Sequence, residues 1–316
     1  MRTESDNVVV QTRGLARFFG EMAAVSSLDL EVRKGELFGL VGPDGAGKST
    51  AIRLLCGILK PTSGEGTVLG CDLTSQVEKI KGRIGYLSQN FTLYGDLTVD
   101  ENIEFFAEIH GVRNLAARRN ELLDFTRLTP FRKRLARALS GGMKKKLALA
   151  CTLVHTPDLI FLDEPSTGVD PVSRGEFWNI LSDILEQGVT IFMTSPYLDE
   201  VERCHRICLI HRGKTLMSGT PEEVKAALPG KVYDIECESP AAAYAVLRTK
   251  WSSSCLMLYG THLHIWSRNG RPEAMEAVAM VNNHGSGTAV LREVKPTLED
   301  ALIGLVSTTE SKGENS

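Results

Sequence analysis

Apolar and polar positions follow two rhythms along this chain, and the places where the rhythm changes divide it into parts. Short apolar runs bounded by turn residues read as strands: Val8–Val10, Ser27–Val32 with its period-two alternation, Leu37–Val41, Thr67–Gly70, Arg83–Gln89, Leu159–Leu162, Val189–Thr194 and Ile207–His211. Runs of helical period lie between them, at Ala51–Leu55, through Phe177, Ile180, Leu181, Ile184 and Leu185, and at Leu198–Cys204. A continuous apolar strand such as Leu159–Leu162 is the kind buried on both faces, and strands alternating with helices predict a mainly parallel sheet. From Asp96 to about Ala150 helices take over. Thr98 and Asp100 are candidate caps for a helix carrying Ile103, Phe106, Ala107 and His110, and Leu115–Phe125 and Met143–Val154 follow. Residues 90–155 therefore read as a helical subdomain inserted into an α/β core spanning 8–225.

The pattern shifts again after Gly219. Thr220-Pro221-Glu222-Glu223 starts a capped helix, and Pro229-Gly230 reads as a linker. Beyond it come strand (Val232–Cys237), helix (Pro240–Lys250), two strands (Cys255–Tyr259, His262–Trp266), helix (Pro272–Asn282) and strand (Ala289–Val294). That order predicts a small ferredoxin-like α+β domain over 231–305. A short helix opens at Thr297, and the polar stretch 307–316 reads as a disordered tail.

At 316 residues the chain has room for both domains and a substantial core. A net charge of −3 gives no electrostatic footprint for nucleic acid or anionic lipid, and no nucleic-acid partner is expected. No apolar run approaches the roughly 18 residues of a membrane span, and Met1–Asp6 lacks the apolar core of a signal peptide. Seven cysteines, odd in number and without metal-type spacing, read as buried thiols in a reducing cytoplasm. His262 and His264 share one face of a strand; with no third ligand evident they read as a solvated strand face. The triplet Lys144–Lys146 likewise reads as a solvated helix face.

The candidate chemistry starts at Gly42-Pro43-Asp44-Gly45-Ala46-Gly47-Lys48-Ser49-Thr50, between the apolar strand Leu37–Val41 and a helix. Strand, glycine-rich turn, helix is the setting of a phosphate-binding P-loop. Gly42, Gly45 and Gly47 let the backbone turn its N–H groups inward as an anion nest, and the helix beginning at Lys48 adds its positive end. Lys48 has the reach for β- and γ-phosphates, and Ser49 carries a hydroxyl suited to Mg²⁺. A second element is Asp163-Glu164 at the carboxyl end of a central strand, where open α/β sheets bind ligands. Adjacent strand side chains diverge, so the two carboxylates divide the work: Asp163 toward Mg²⁺, Glu164 toward an attacking water. Phe19, before the first hairpin, is placed either to stack on a base or to cap the core.

Leu139-Ser140-Gly141-Gly142-Met143, some twenty residues before Leu159–Glu164, extends this picture. Together with the P-loop it resembles the ATP-binding subunit of an ABC transporter over roughly residues 8 to 225. The resemblance implies ATP as ligand and Mg²⁺ as cofactor, with Phe19 stacking on adenine. It makes Gln89 the link between Mg²⁺, water and a transmembrane partner. Ser140, Gly141 and Gly142 become the segment that closes over the γ-phosphate of a partner's ATP, and Asp170 a dimer-contacting loop residue. Gly42–Gly47, Pro165–Pro171 and Pro296–Asp300 look like the ABC-2 exporter group that includes drug-efflux ATPases, and the first is similar to the amino-terminal ATPase half of YbhF-type subunits. By the same resemblance a separate ABC-2-type permease and a second ATP-binding domain are the partners, at the cytoplasmic face of the inner membrane. One departure stands out: the γ-phosphate histidine usual after the strand Val189–Thr194 falls on Pro196. Hydrolysis at this chain's own site is then expected to be weak, unless Ser195 or Tyr197 supplies a donor. The competing readings are a soluble ABC ATPase of translation or DNA repair and an importer ATPase.

Overall fold

The computed structural model describes residues 7–90, 93–252, 254–284 and 288–313. The chain divides between Ser218 and Gly219 into two compact units. The first holds β1 (Val8–Phe19), β2 (Met22–Arg33), β3 (Leu37–Val41), α1 (Lys48–Leu55), β4 (Ser63–Val68), β5 (Cys71–Asp72), α2 (Val77–Lys81) and β6 (Ile84–Leu87). It continues through α3 (Val99–Ile109), α4 (Leu115–Phe125), α5 (Gly141–Leu153), β7 (Leu159–Asp163), α6 (Pro171–Glu186), β8 (Thr190–Thr194), α7 (Leu198–Val201), β9 (Arg206–His211) and β10 (Lys214–Gly219).

These strands form one sheet in the order β5-β4-β1-β2-β10-β9-β3-β8-β7-β6. The expected parallel core is its β9-β3-β8-β7-β6 half, with Asp163 opposite Thr194 at the end of the β7–β8 ladder. The β5-β4-β1-β2 stretch is antiparallel, because β1 and β2 form a single long hairpin rather than the short strands the alternation indicates, and β10 joins β2 in parallel. Bulges along that hairpin break the period-two pattern, which is why the sequence shows only fragments of it. β10 also escapes the pattern; its residues are mostly half-buried, and it follows β9 through Arg212-Gly213, both at positive φ. Phe38, Leu40, Ile52, Leu55, Phe161 and Phe192 pack with the sheet into the main core.

The inserted helices form as expected. Thr98 caps α3 in a reciprocal capping box with Glu101, while Asp100 pairs instead with Arg132 at 2.9 Å. α5 begins earlier than the pattern indicates, at Gly141, with Ser140 as its cap. Of its three lysines only Lys144 is exposed as expected: Lys146 is buried and pairs with Glu176, and half-buried Lys145 donates its Nζ to the Gln89 carbonyl at 3.2 Å. α5 packs against α3, α4 and α6, and the α6 side supplies Glu176 to Lys146.

The second unit contains α8 (Pro221–Ala226), β11 (Lys231–Glu236), α9 (Pro240–Leu247), β12 (Leu256–Tyr259), β13 (His262–Ser267), α10 (Arg271–Asn283), β14 (Val290–Val294) and α11 (Leu298–Gly313). Its sheet runs β12-β13-β11-β14 with antiparallel neighbours, the ferredoxin-like arrangement. Tyr233, Ile235, Leu263 and Ile265 face α9 and α10. α11 runs on to Gly313, into the stretch expected to be a disordered tail; Ser307 and Thr308 hydroxyls bond the Gly304 carbonyl within the helix. Residues 314–316 of that tail, like Met1–Asp6, lie outside the described residues. All seven cysteines are free, with Cys56, Cys151, Cys204 and Cys208 buried.

Candidate functional site

β3 is buried along its whole length and delivers the chain to Gly42. A Cβ at Gly42 would lie 2.1 Å from the Ile210 carbonyl oxygen, so only glycine lets the loop leave the sheet this close to β9. Ala46 N–H then closes a turn on the Pro43 carbonyl at 3.1 Å. Gly47, at φ +103°, caps α1, and a Cβ there would stand 2.3 Å from the Ala24 carbonyl oxygen. Lys48 is buried and folds over the loop, its Nζ donating to the Gly42 and Pro43 carbonyls at 2.9 and 3.0 Å, with exposed Asp44 at 3.8 Å. Gly45 is at φ +77°, and Thr50 continues the first turn of α1. The loop thus presents backbone donors, a helix start and one ammonium in the same concavity, an arrangement that binds a polyphosphate.

Ser49, the second residue of α1, donates its hydroxyl to Asp163 Oδ1 at 3.1 Å. That oxygen also accepts from Thr194 Oγ1 at 2.9 Å. Two hard oxygens side by side, one anionic, suit Mg²⁺. Asp163 is buried at the end of β7, and the next residue turns sharply: Glu164 sits at φ +48°, its N–H held by the Thr194 hydroxyl and carbonyl at 3.0 and 3.2 Å. A non-glycine residue in the left-handed region costs about 1 kcal/mol or more, and here it sends the second carboxylate away from the first. Glu164 Oε2 accepts from Gln89 Nε2 at 2.9 Å and from Thr167 Oγ1 at 3.3 Å. Gln89 and Glu164 are thereby joined although 75 residues separate them. Burial pushes the Lys145 ammonium below its ordinary pKa, while the Glu164 and Asp163 carboxylates act in the other direction.

The remaining candidates stand elsewhere in the first unit. Phe19 ends β1, is 42% exposed and carries the Arg17 guanidinium 4.7 Å from its ring centre. It is therefore a surface aromatic rather than a core cap. Ser140 caps α5 by accepting from Met143 N–H at 3.3 Å. Gly142 lies against Ser173, and Gly141 looks toward the Gly168 carbonyl. Among the described residues no hydrogen bond joins Ser140–Gly142 to Gly42–Thr50. Asp170 caps α6, accepting from Ser173 N–H at 2.9 Å, which holds its carboxyl below the usual range.

This arrangement has known counterparts. Residues 25–167 match the ABC transporter family. The probable multidrug ABC transporter ATP-binding protein YbhF of Escherichia coli K12 is 44% identical over 69% of this chain and 38% of its own length. The daunorubicin/doxorubicin resistance ATP-binding protein DrrA of Streptomyces peucetius is 35% identical over 91% of this chain and 85% of its own. The chain belongs to the ABC transporter ATP-binding family. Its first unit also resembles the solved structure of cbiO1 from Clostridium perfringens, part of the ABC transporter complex cbiONQ. The TM-score is 0.64 at 25% identity, covering 70% of this chain and 92% of that one. This ABC chain spans only 38% of YbhF's length.

The end of β8 carries Pro196, on the position where the sequence resemblance implied a histidine. Pro196 is exposed and has no side-chain donor. Ser195 is buried, and its hydroxyl donates to Glu200 Oε2 at 2.6 Å while accepting from Tyr197 N–H at 3.0 Å. Sequence reading missed this Glu200 hub, which also holds Ser166 and Trp178, and it missed Thr194, Thr167 and Lys145. Only Thr194 had a legible signal: a hydroxyl ending an otherwise apolar central strand.

Proposed function

We propose that this chain is the ATP-hydrolysing subunit that drives export through a separate ABC-2-type permease, peripheral to the cytoplasmic face of the inner membrane. The observation that carries the proposal is the meeting of four groups from distant segments: Ser49 with Asp163, and Gln89 with Glu164. Lys48 and the loop amides of Gly42–Thr50 would bind the ATP phosphates, Phe19 would stack on adenine, and Ser49, Asp163 and Gln89 would hold Mg²⁺. The ion, when bound, neutralises charge on the phosphates. Glu164, fixed by Gln89 and Thr167, orients the attacking water and takes its proton. Ser140, Gly141, Gly142 and Asp170 serve the site of a second ATP-binding domain. Among the described residues no helix is long and apolar enough to cross a membrane, so a permease in another polypeptide segment is part of the proposal. The names of YbhF and DrrA favour drugs as the cargo class.

The chain's own site is proposed to hydrolyse weakly. Pro196 offers no donor, and the Ser195 hydroxyl is already committed to Glu200. Turnover by wild type and Pro196→His, measured side by side, tests this. Slow turnover that rises in the variant supports the reading; several turnovers per second by the wild-type homodimer, an ordinary enzymatic rate, refutes it. Affinity capture from detergent-solubilised membranes tests the transport role. Recovery of an integral membrane protein supports it, and recovery of soluble partners alone favours a translation or DNA-repair ATPase.

A further inference from the structure

The second unit carries a cluster of side chains that the nucleotide site does not use. His262 and His264 alternate on β13 with Leu263 and Ile265, which belong to the core under α9 and α10, so both imidazoles lie on the opposite sheet face. That face is not simply solvated, contrary to the sequence expectation. His264 is only 9% exposed, with the Tyr259 ring 4.6 Å from its own, centre to centre. The third group absent from the sequence pattern comes from β11: Asp234 is the direct cross-strand partner of His264. One ligand atom from each of Asp234, His262 and His264 lies within 4.8 Å of the others.

We propose that Asp234, His262 and His264 form a binding site for a divalent transition metal of the zinc class. Three observations point the same way. Asp234 Oδ1 is buried and has no hydrogen-bond partner, a costly state for a carboxylate oxygen that a bound cation relieves. The neighbouring cation on β14, Arg292, is paired instead with Glu236 at 3.4 Å. Behind the cluster, Asp300 places its carboxylate oxygens 3.2 and 3.3 Å from His264 Nδ1. Asp300 is itself fixed by Thr297 N–H and Oγ1, both at 2.8 Å. A carboxylate on Nδ1 sets the tautomer in which Nε2 presents its lone pair, as in carboxylate–histidine–metal arrangements.

The donor set decides the class of ion. Two imidazole nitrogens and one carboxylate oxygen match zinc and its neighbours, whereas Mg²⁺ and Ca²⁺ prefer oxygen ligands throughout. Three protein ligands leave a fourth position for water or a partner's side chain. Bound metal would cross-link β11 to β13 at the centre of the four-stranded sheet, so occupancy also stabilises this unit by mass action.

The test uses the full chain, stripped with EDTA and kept free of nucleotide. Isothermal titration with ZnCl₂ should show one saturable site, and Co²⁺ should give visible absorption bands of a nitrogen–oxygen site. Asp234→Asn and His262→Gln change half-buried side chains and should leave the fold intact, as circular dichroism checks. Each should weaken zinc binding at least tenfold, since loss of even an outer-sphere partner costs about 10–100-fold. Both should also abolish the Co²⁺ bands and the zinc-induced rise in Tm. No saturable binding by the wild type overturns the proposal. So does unchanged affinity in either folded variant, which would place the ion on the cysteines or the P-loop.

Discussion

Glu200 is 1% exposed, and its carboxylate gathers three donors from three segments. Oε2 accepts from Ser166 and Ser195 hydroxyls at 2.8 and 2.6 Å, and Oε1 accepts from Trp178 Nε1 at 3.2 Å. Arg174 approaches Oε1 at 3.8 Å and has a second partner in Asp199 at 3.2 Å, so it survives the loss of Glu200 better than the others. Glu200→Ala strands the Ser166 and Trp178 donors and leaves Ser195 only the Tyr197 carbonyl at 3.5 Å, at sites where the three residues are between 2% and 6% exposed. Each unsatisfied buried group costs about 1–3 kcal/mol. A water entering the vacated space would satisfy some of them, which favours the lower end, about 3 kcal/mol in total. Hydrogen exchange in α6 reads this directly, because Asp170 caps that helix and Trp178 anchors it. Protection of its slowest amides should fall about a hundredfold, at roughly 1.4 kcal/mol per factor of ten. Glu200→Gln, which keeps one acceptor oxygen for the serines, should lose less. A fall below about fivefold in the alanine variant, near 1 kcal/mol, would refute the claim that this carboxylate fastens the Ser166 and Ser195 loops.

Three other outcomes follow from the geometry. Gly47→Ala should destabilise the first unit by at least roughly 1–3 kcal/mol through its backbone conformation alone and abolish binding of a fluorescent ATP analogue, because its Cβ would meet the Ala24 carbonyl at 2.3 Å. Ser49→Ala should reduce Mg²⁺-dependent ATP affinity while leaving binding in EDTA nearly unchanged, a split that equilibrium binding with and without Mg²⁺ resolves. His110 and His155 stack with ring centres 3.9 Å apart, and burial pushes both pKa values below the ordinary 6.5, with His110 adding to the effect at His155. The unfolded chain therefore binds protons first as pH falls: stability is complete above about 6.5 and declines below it toward the lowered folded values. His110→Gln should flatten that decline in urea titrations between about pH 5 and 6.5.

Much of this protein was legible before its structure. The Gly42–Thr50 loop and the Asp163-Glu164 strand end are local features, set by backbone permissiveness and by the period of a few neighbouring residues. The same holds for the alternating elements of the core and for the strand-helix-strand-strand-helix-strand order of the second unit. Local rules state what an element is and which face it buries, and they carry no information about which distant element it meets. Lys146 on α5 looked like a solvated cation until packing against α6 supplied Glu176. The antiparallel β1–β2 hairpin of the large sheet was hidden by bulges, and β10 by partial burial, because both blur the alternation on which strand reading depends.

The sequence by itself determined the phosphate loop, the strand-end carboxylates and the proline standing where a histidine was expected. Tertiary structure alone decided who their partners are. Ser49 reaches Asp163 across 114 residues because β3 and β7 both pair with β8 in parallel and end at the same level. Ser195 is committed to Glu200 because a short helix turns that carboxylate back under β8. Asp234 joins His262 and His264 through the antiparallel register of β11 and β13, which places residues 30 positions apart side by side. Register is a property of two strands together, fixed by the faces each must bury, and neither strand's own residues state it.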